Sequence, residues 1–174
     1  MIKLAIFASG SGTNFVKLTE AIQNKEIDGE LALLVCDRPG AKVIEHAKRL
    51  GIKTLVYQPK DFKNKAAYET ELLLNLRAQD IKAIVLAGYM RLIGEVLLEA
   101  YSGKIINLHP SLLPSFPGKD AILQAWKKEV KVTGITIHFV DEGMDTGPII
   151  AQKPYEIKPT DTLESLTEEI HKIE

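Results

Sequence analysis

Five short apolar runs, separated by longer amphipathic stretches, constrain this chain more than any other feature. They are "IKLAIFA" (2–8), "LALLVC" (31–36), "IKTLVY" (52–57), "IKAIVLAG" (81–88) and "KIINLH" (104–109). Their near-continuous hydrophobicity suits strands buried on both faces. The stretches between them, Asn14 to Gln23, Ala41 to Leu50 and Lys65 to Arg77, read as amphipathic helices. Strand–helix alternation predicts an α/β fold with a parallel sheet and right-handed crossovers. After Pro117 the texture changes. Residues 120–130 read as a helix, 131–140 and 147–157 as strands joined by the loop "DEGMD", and 161–174 as a helix with Leu163, Leu166, Ile170 and Ile173 at helical spacing. Asp161 and Glu164 have the spacing of a capping box, with Asp where Ser or Thr is usual. No stop signal precedes Glu174, so a C-terminal truncation is expected.

Composition narrows the class. The 174 residues fit one domain, 1–174, and no repeat or linker divides it. The 22 basic and 23 acidic residues give no excess of positive charge for a nucleic-acid partner. The single cysteine, Cys36, closes an apolar run and reads as a buried thiol, and the four histidines lack metal-ligand spacing. The N-terminal apolar run is too brief for a secretory signal, and no run approaches the roughly 20 apolar residues of a membrane helix. A soluble, cytoplasmic protein that needs no metal and no membrane is expected.

"ASGSGTN" (8–14) lies between the first strand and the first helix. Gly10 and Gly12 let backbone N–H groups approach a ligand, and the helix N-terminus adds a positive dipole. Ser11, Thr13 and Asn14 add short polar groups, a chemistry that suits phosphate. A tight turn with a polar N-cap has the same composition. The dinucleotide fingerprint is incomplete, because Phe15 stands where a third small residue belongs, and no Lys follows Gly12 as in a Walker loop. Asp37, at the end of the second strand, is a candidate for holding a ribose.

"INLHPSLLPSFPGKDA" (106–121) places Asn107 and His109 two residues apart, on one face of a strand. Pro110 favours extended backbone at His109, and the prolines that follow stiffen the adjoining wall. An amide and an imidazolium are both donors, and two donors suit an oxyanion that develops in acyl transfer; a neutral imidazole would serve as a base instead. An Asn that pairs backbone groups and a His that closes a strand would look the same. "DEGMDTGP" (141–148) offers Asp141, Glu142 and Asp145 on a loop punctuated by glycine. A carboxylate from it, set beside His109, would favour the charged ring. Ser111 and Ser115 lie in no nucleophile elbow, which favours direct transfer over a covalent acyl-enzyme. Arg91, in the apolar "GYMRLI", requires a partner or solvent. His138, between Ile137 and Phe139, reads as a satisfied strand histidine, Trp126 as packing, and Lys127, Lys128 and Lys131 as solvated surface.

"ASGSGTN", "LAGYMRLI", "INLHPSLLPSFPG", "GITIHFVDEGMDTGPII" and "EEIHKIE" together resemble the phosphoribosylglycinamide formyltransferases, of the folate-dependent formyltransferase family, over nearly the whole chain. The resemblance implies a Rossmann-like formyltransferase fold, with a mostly parallel seven-stranded sheet and helices on both faces. It implies a phosphate-binding half of about 1–103 and a folate and catalytic half of about 104–174. The implied reaction moves a formyl group from 10-formyltetrahydrofolate, a co-substrate, to the amine of glycinamide ribonucleotide in purine biosynthesis. Asn107, His109 and Asp145 match the family's catalytic trio, with Asp145 orienting His109 and raising its pKa. Gly12, Thr13 and Asn14 match the phosphate loop, and His171, Lys172, Ile173 and Glu174 a segment near the glycinamide substrate. Met90, Arg91, Leu92 and Ile93 match the folate pocket, as do Asn107 and the loop Asp141, Glu142, Gly143, Met144 and Asp145. Lys65 falls where the family often has an Arg, and Lys lacks the planar guanidinium fork. The partners implied are small molecules, with the protein a monomer or homodimer. Other members of the fold, methionyl-tRNA formyltransferase and formyltetrahydrofolate hydrolase, carry extra domains that this sequence does not display. A phosphate-ligand binding module and an NAD-dependent oxidoreductase are the readings from other classes.

Overall fold

The computed structural model describes residues 1–174. In chain order the elements are β1 (Ile2–Ala8), α1 (Thr13–Gln23), β2 (Gly29–Cys36), α2 (Lys42–Arg49), β3 (Thr54–Val56), a 3-10 turn (Pro59–Asp61), α3 (Lys65–Ala78), β4 (Ala83–Leu86), α4 (Glu95–Ala100), β5 (Ile105–His109), α5 (Ala121–Lys127), β6 (Val132–Phe139), β7 (Ile149–Glu156) and α6 (Leu163–Ile173). The seven strands form a sheet in the order β3-β2-β1-β4-β5-β6-β7. The chain divides into two compact units, Met1–Ile106 and Asn107–Glu174.

In the first unit β1 runs parallel to β2 and β4, and β2 runs parallel to β3. Ala5 to Ala8 and Leu33 to Cys36 are at most 1% exposed, as expected for strands covered on both faces. α1 buries Phe15 and Thr19, and α2 buries Val43 and Ala47; each pair is one turn apart on its helix, and Phe15, Val43 and Ala47 close one apolar cluster over Ile6, Ala8 and Leu34. α3 is started by Asn64, whose side chain accepts from the Ala67 N–H at 2.8 Å, and buries Tyr68, Leu72 and Leu76 at four-residue spacing. Strand order turns at β1, which has β2 on one side and β4 on the other. The loops that leave β1 and β4 therefore flank a topological switch point, where open parallel sheets bind ligands. Gly12 begins α1 at φ 80°, and a Cβ there would lie 2.7 Å from Val43 Cγ2, so both backbone and packing require glycine.

In the second unit β6 and β7 pair antiparallel, and Ile135 joins Leu166 and Ile170 of α6 in a core lined by Trp126, Tyr155 and Ile173. Trp126 is packing, as read. α6 is capped by Thr162, which accepts from the Ser165 N–H, while Ser165 Oγ accepts from the Thr162 N–H. The box thus lies one residue on from the expected Asp161–Glu164 pair. Thr162 supplies the preferred N-cap hydroxyl, and Asp161 instead accepts from Lys158 N–H, Tyr155 OH and Ser165 Oγ. β7 is the outer strand and is mostly exposed, with Pro154 in it at no cost to inner pairing.

Three further differences from the sequence reading have local causes. β3 spans three residues rather than six, as a sheet edge with one neighbour. α4, "EVLLEA", is too short for periodicity to reveal. The 3-10 turn at Pro59–Asp61 is likewise a single turn, begun by proline.

Gly134 of β6 faces Pro154 of β7, and a Cβ there would run into the Lys153 carbonyl oxygen, Leu112 Cδ2 and Pro154 Cα. Gly134→Ala is expected to lower stability by about 1–3 kcal/mol, read as a shifted urea midpoint with an unchanged slope.

Candidate active site

Two strands and one loop of the second unit bring four polar side chains together. β5 delivers Asn107, half-buried, and His109, 5% exposed. β6 delivers His138, 2% exposed. The turn after β6 delivers Asp145. His109 Nδ1 lies 3.4 Å from Asp145 Oδ2, and His138 Nε2 lies 3.6 Å from Asp145 Oδ1, so the carboxylate stands between two imidazoles. Asn107 Nδ2 approaches His138 Nε2 at 3.3 Å. His138 Nδ1 donates to the Phe139 carbonyl at 2.8 Å. His109 Nε2 donates to the Phe116 carbonyl at 2.8 Å, and that carbonyl belongs to the proline-stiffened segment. An acceptor oxygen thus lies near each ring nitrogen of His109.

The backbone holds Asp145 in place. It sits at φ 56°, in the left-handed region that Asp and Asn enter more readily than other side chains. Its Oδ2 accepts from the Gly118 N–H at 2.8 Å. Burial pushes the Asp145 carboxyl up, but hydrogen bonding from His138 and Gly118 and the charge of His109 outweigh it, so its pKa lies below the ordinary carboxylate value. The same interaction pushes the His138 pKa up, against the opposing effect of burial. His138 is therefore part of the cluster, and not merely the satisfied strand histidine of the sequence reading. Its place between two apolar residues concealed that. The available signal was period two: 136, 138 and 140 share one face of a strand that leads into the acidic loop.

The rest of that loop is less committed. Asp141 Oδ1 accepts from the Gly143 N–H and from Thr146 Oγ1, so it shapes the turn. Glu142 and Met144 are exposed, and Gly143 faces Thr146 where a Cβ would stand. Ser111 is fully buried and donates to the Ser115 carbonyl, in keeping with its exclusion as a nucleophile. At the end of α6, His171 Nδ1 lies 3.2 Å from Glu174 Oε2, and Lys172 pairs with Glu169 at 2.8 Å. Ile173 packs against the Leu166–Ile170 cluster.

In the first unit, no side chain caps α1 at Gly12–Thr13, so the first turn of that helix keeps its N–H groups from side-chain oxygens of its own N-cap. Thr13 Oγ1 and Ser11 Oγ lie 3.3 Å apart, and Asn14 follows in the same turn. Beyond β4, residues 89–92 border a cavity of about 380 Å3 whose walls include Lys65, Tyr68, Tyr89, Met90, Arg91 and Leu92. Met90 is 66% and Leu92 55% exposed, so neither is core, whereas Ile93 is buried. Glu69, buried beneath this wall, accepts from the Gly94 N–H at 2.7 Å, and burial pushes its pKa up. Asp37 departs from its expected role. Its side chain is 1% exposed, receives Ser9 Oγ at 2.5 Å on one oxygen and Arg91 Nε at 2.7 Å on the other, and has no face left for a ribose. It is also the partner that Arg91 required.

The sign of the His138–Asp145 interaction fixes its pH dependence. A raised His pKa stabilises the fold fully below about pH 6.5 and loses that contribution as pH rises through the raised value. A lowered Asp pKa stabilises above about pH 4 and loses it as pH falls through the lowered value. The pair supports the fold most between those limits. Asp145→Asn is expected, in urea unfolding, to lower stability between those limits and to flatten the pH–stability curve on either side of them, and to lower the His138 pKa followed by NMR.

Comparison with known proteins is consistent along the whole chain. The family model described as formyl transferase matches residues 2–174. The chain is 56% identical over 174 residues to the phosphoribosylglycinamide formyltransferase of Bacillus subtilis, covering 100% of this chain and 89% of that one. It is 39% identical to the trifunctional purine biosynthetic protein adenosine-3 of Drosophila melanogaster, over 99% of this chain and 13% of that longer protein. The crystal structure of glycinamide ribonucleotide transformylase 1 from Geobacillus kaustophilus superposes with a TM-score of 0.97 at 57% identity, over 99% of this chain and 92% of that one. With the family model matched nearly end to end, and the fold and sequence in agreement, this chain belongs to the formyl transferase family.

Proposed function

We propose that Asn107, His109 and Asp145 carry the reaction of a phosphoribosylglycinamide formyltransferase in this chain. The activity rests on one observation above others: 56% identity to the Bacillus subtilis enzyme across all 174 residues. In the reaction, the amine of glycinamide ribonucleotide attacks the formyl carbon of 10-formyltetrahydrofolate. A tetrahedral oxyanion forms, the bond from that carbon to N10 of the folate breaks, and the formyl group stays on the amine. The amine gives up a proton and N10 gains one, so the protein's task is to stabilise the oxyanion and move that proton.

Asn107 offers its amide N–H2 to the oxyanion. Its Nδ2 lies 3.3 Å from His138 Nε2, and we assign an N–H of that amide to the substrate. His109 is the second donor, and it reaches an oxyanion by exchanging its Phe116 carbonyl partner. Asp145 holds the His109 ring from the other nitrogen at 3.4 Å, and its lowered pKa keeps it ionised to relay the proton through water. Nothing in this scheme draws on a metal or a covalent acyl-enzyme.

For the substrates, we assign Gly12, Thr13 and Asn14 to the phosphate of the ribonucleotide, on the strength of the N-terminus of α1 and the glycine at φ 80°. The α6 end, His171 to Glu174, is assigned to the same substrate, with Ile173 contributing through packing. Lys65 and Met90 to Ile93 are assigned to the folate, supported by the 380 Å3 cavity beside exposed Met90 and Leu92. In the second unit, Asn107 and the loop Asp141, Glu142, Gly143, Met144 and Asp145 are assigned to the folate as well. The protein works in this reading as a cytoplasmic enzyme on small molecules.

Removing one oxyanion donor typically costs about 100- to 1,000-fold in turnover. Asn107→Ala and Asp145→Ala are each expected to lose at least that order in kcat while the circular dichroism spectrum stays native. Wild-type protein given 10-formyltetrahydrofolate is expected to release deformylated folate only when glycinamide ribonucleotide is also present. Folate loss without the amine would identify a hydrolase instead.

A further inference from the structure

Asp37 is the one buried carboxylate of the first unit whose two oxygens serve two different loops. Ser9, in the turn that leaves β1, donates its hydroxyl to Asp37 Oδ1 and accepts the Met90 N–H at 2.9 Å. Arg91 donates Nε to Asp37 Oδ2 at 2.7 Å. The Ser9 N–H adds a bond to the Gly88 carbonyl at 3.1 Å. Residues 88 to 91 are thus held at three successive points, and Asp37 supplies or supports two of them. Arg91 remains 45% exposed, and its side chain stands on the wall of the 380 Å3 cavity, which Lys65 also lines.

We infer that Asp37 is a positioning residue for the folate side of the reaction. By pinning Nε, it fixes the plane of the Arg91 guanidinium, and by receiving Ser9 it fixes the backbone at Met90. The cavity wall is then presented in one conformation before ligand arrives, which reduces the ordering cost of binding. Side-chain freedom of an unpinned arginine is large, so the arrangement matters more here than at a short residue. This inference rests on the reading of residues 89–93 as the folate wall.

Asp37→Asn tests it with little change in shape. Asparagine keeps an acceptor for Ser9 but turns an N–H2 donor onto the Arg91 donor. The KM for 10-formyltetrahydrofolate is expected to rise about tenfold, with kcat and the KM for glycinamide ribonucleotide held within about twofold. Arg91→Gln, at a half-exposed position, is expected to fold normally and to raise the same KM. The double variant should be no worse than Arg91→Gln alone, because both changes act through one contact. An unchanged folate KM in Asp37→Asn, equal losses for both substrates, or additive effects in the double variant would overturn the inference. If Asp37→Asn does not fold, an unchanged folate KM in Arg91→Gln overturns it by itself. Wild-type protein without folate-dependent transfer would overturn the functional reading and this inference together, whereas an active wild type with an indifferent Asp37→Asn would overturn the inference alone.

Discussion

Strands sealed on both faces leave no room for chemistry along their length. β1 and β2 bury Ala5 to Ala8 and Leu33 to Cys36, so the reactive groups of the first unit can only collect where the strands end. There the opposite requirement takes over, because each polar side chain that the core engulfs must find a partner in the protein. Ser9, Asp37 and Glu69 meet it with hydrogen bonds to loop backbone, to Arg91 and to one another. In the second unit His109, Ser111, Thr136 and His138 do the same. Thr133 Oγ1 is the one buried side-chain atom without a partner. The bonds that satisfy the core are the bonds that shape the loops at the strand ends.

Much of this was legible in advance because the physics is local. Strand runs such as "IKLAIFA" announce themselves by continuous hydrophobicity, and β1 occupies the same seven residues. Asn107 and His109 stood out because two donors on one face of a strand end suit an oxyanion, although an Asn that pairs backbone groups and a His that closes a strand would look the same. Asp145 stood out because glycines surround it. What escaped was long-range pairing. Nothing in "VCDRPG" tells that Asp37 will meet Arg91, 54 residues on, so the sequence left it free for a ribose. His138 escaped for a different reason. Its neighbours Ile137 and Phe139 belong to the other face of β6, and they lent an apolar colour to a face that carries His138 beside Asp145. The Thr162 cap was missed by one position, because Asp161 and Thr162 are both competent caps and the hydroxyl prevailed.

The two loop systems solve the same problem in different ways. In the first unit a half-exposed arginine is pinned by a wholly buried acid, so the charge pair gains from a shielded setting while the guanidinium tip stays wet. In the second unit an acid is flanked by two imidazoles and a backbone N–H, and its charge is shared among groups that can exchange protons. The first arrangement is suited to holding a shape. The second is suited to letting a proton move without leaving an unpaired charge behind.

The left-handed backbone at Asp145 carries an evolutionary consequence. Glutamate has the same charge, but its longer stem fits that conformation poorly and would carry the carboxylate past Gly118. Asparagine fits the turn and forfeits the charge. On the role proposed for Asp145, main chain and chemistry accept different replacements there, and aspartate is what the two sets have in common. Lineages that drift freely elsewhere in this loop should stay fixed at that one residue.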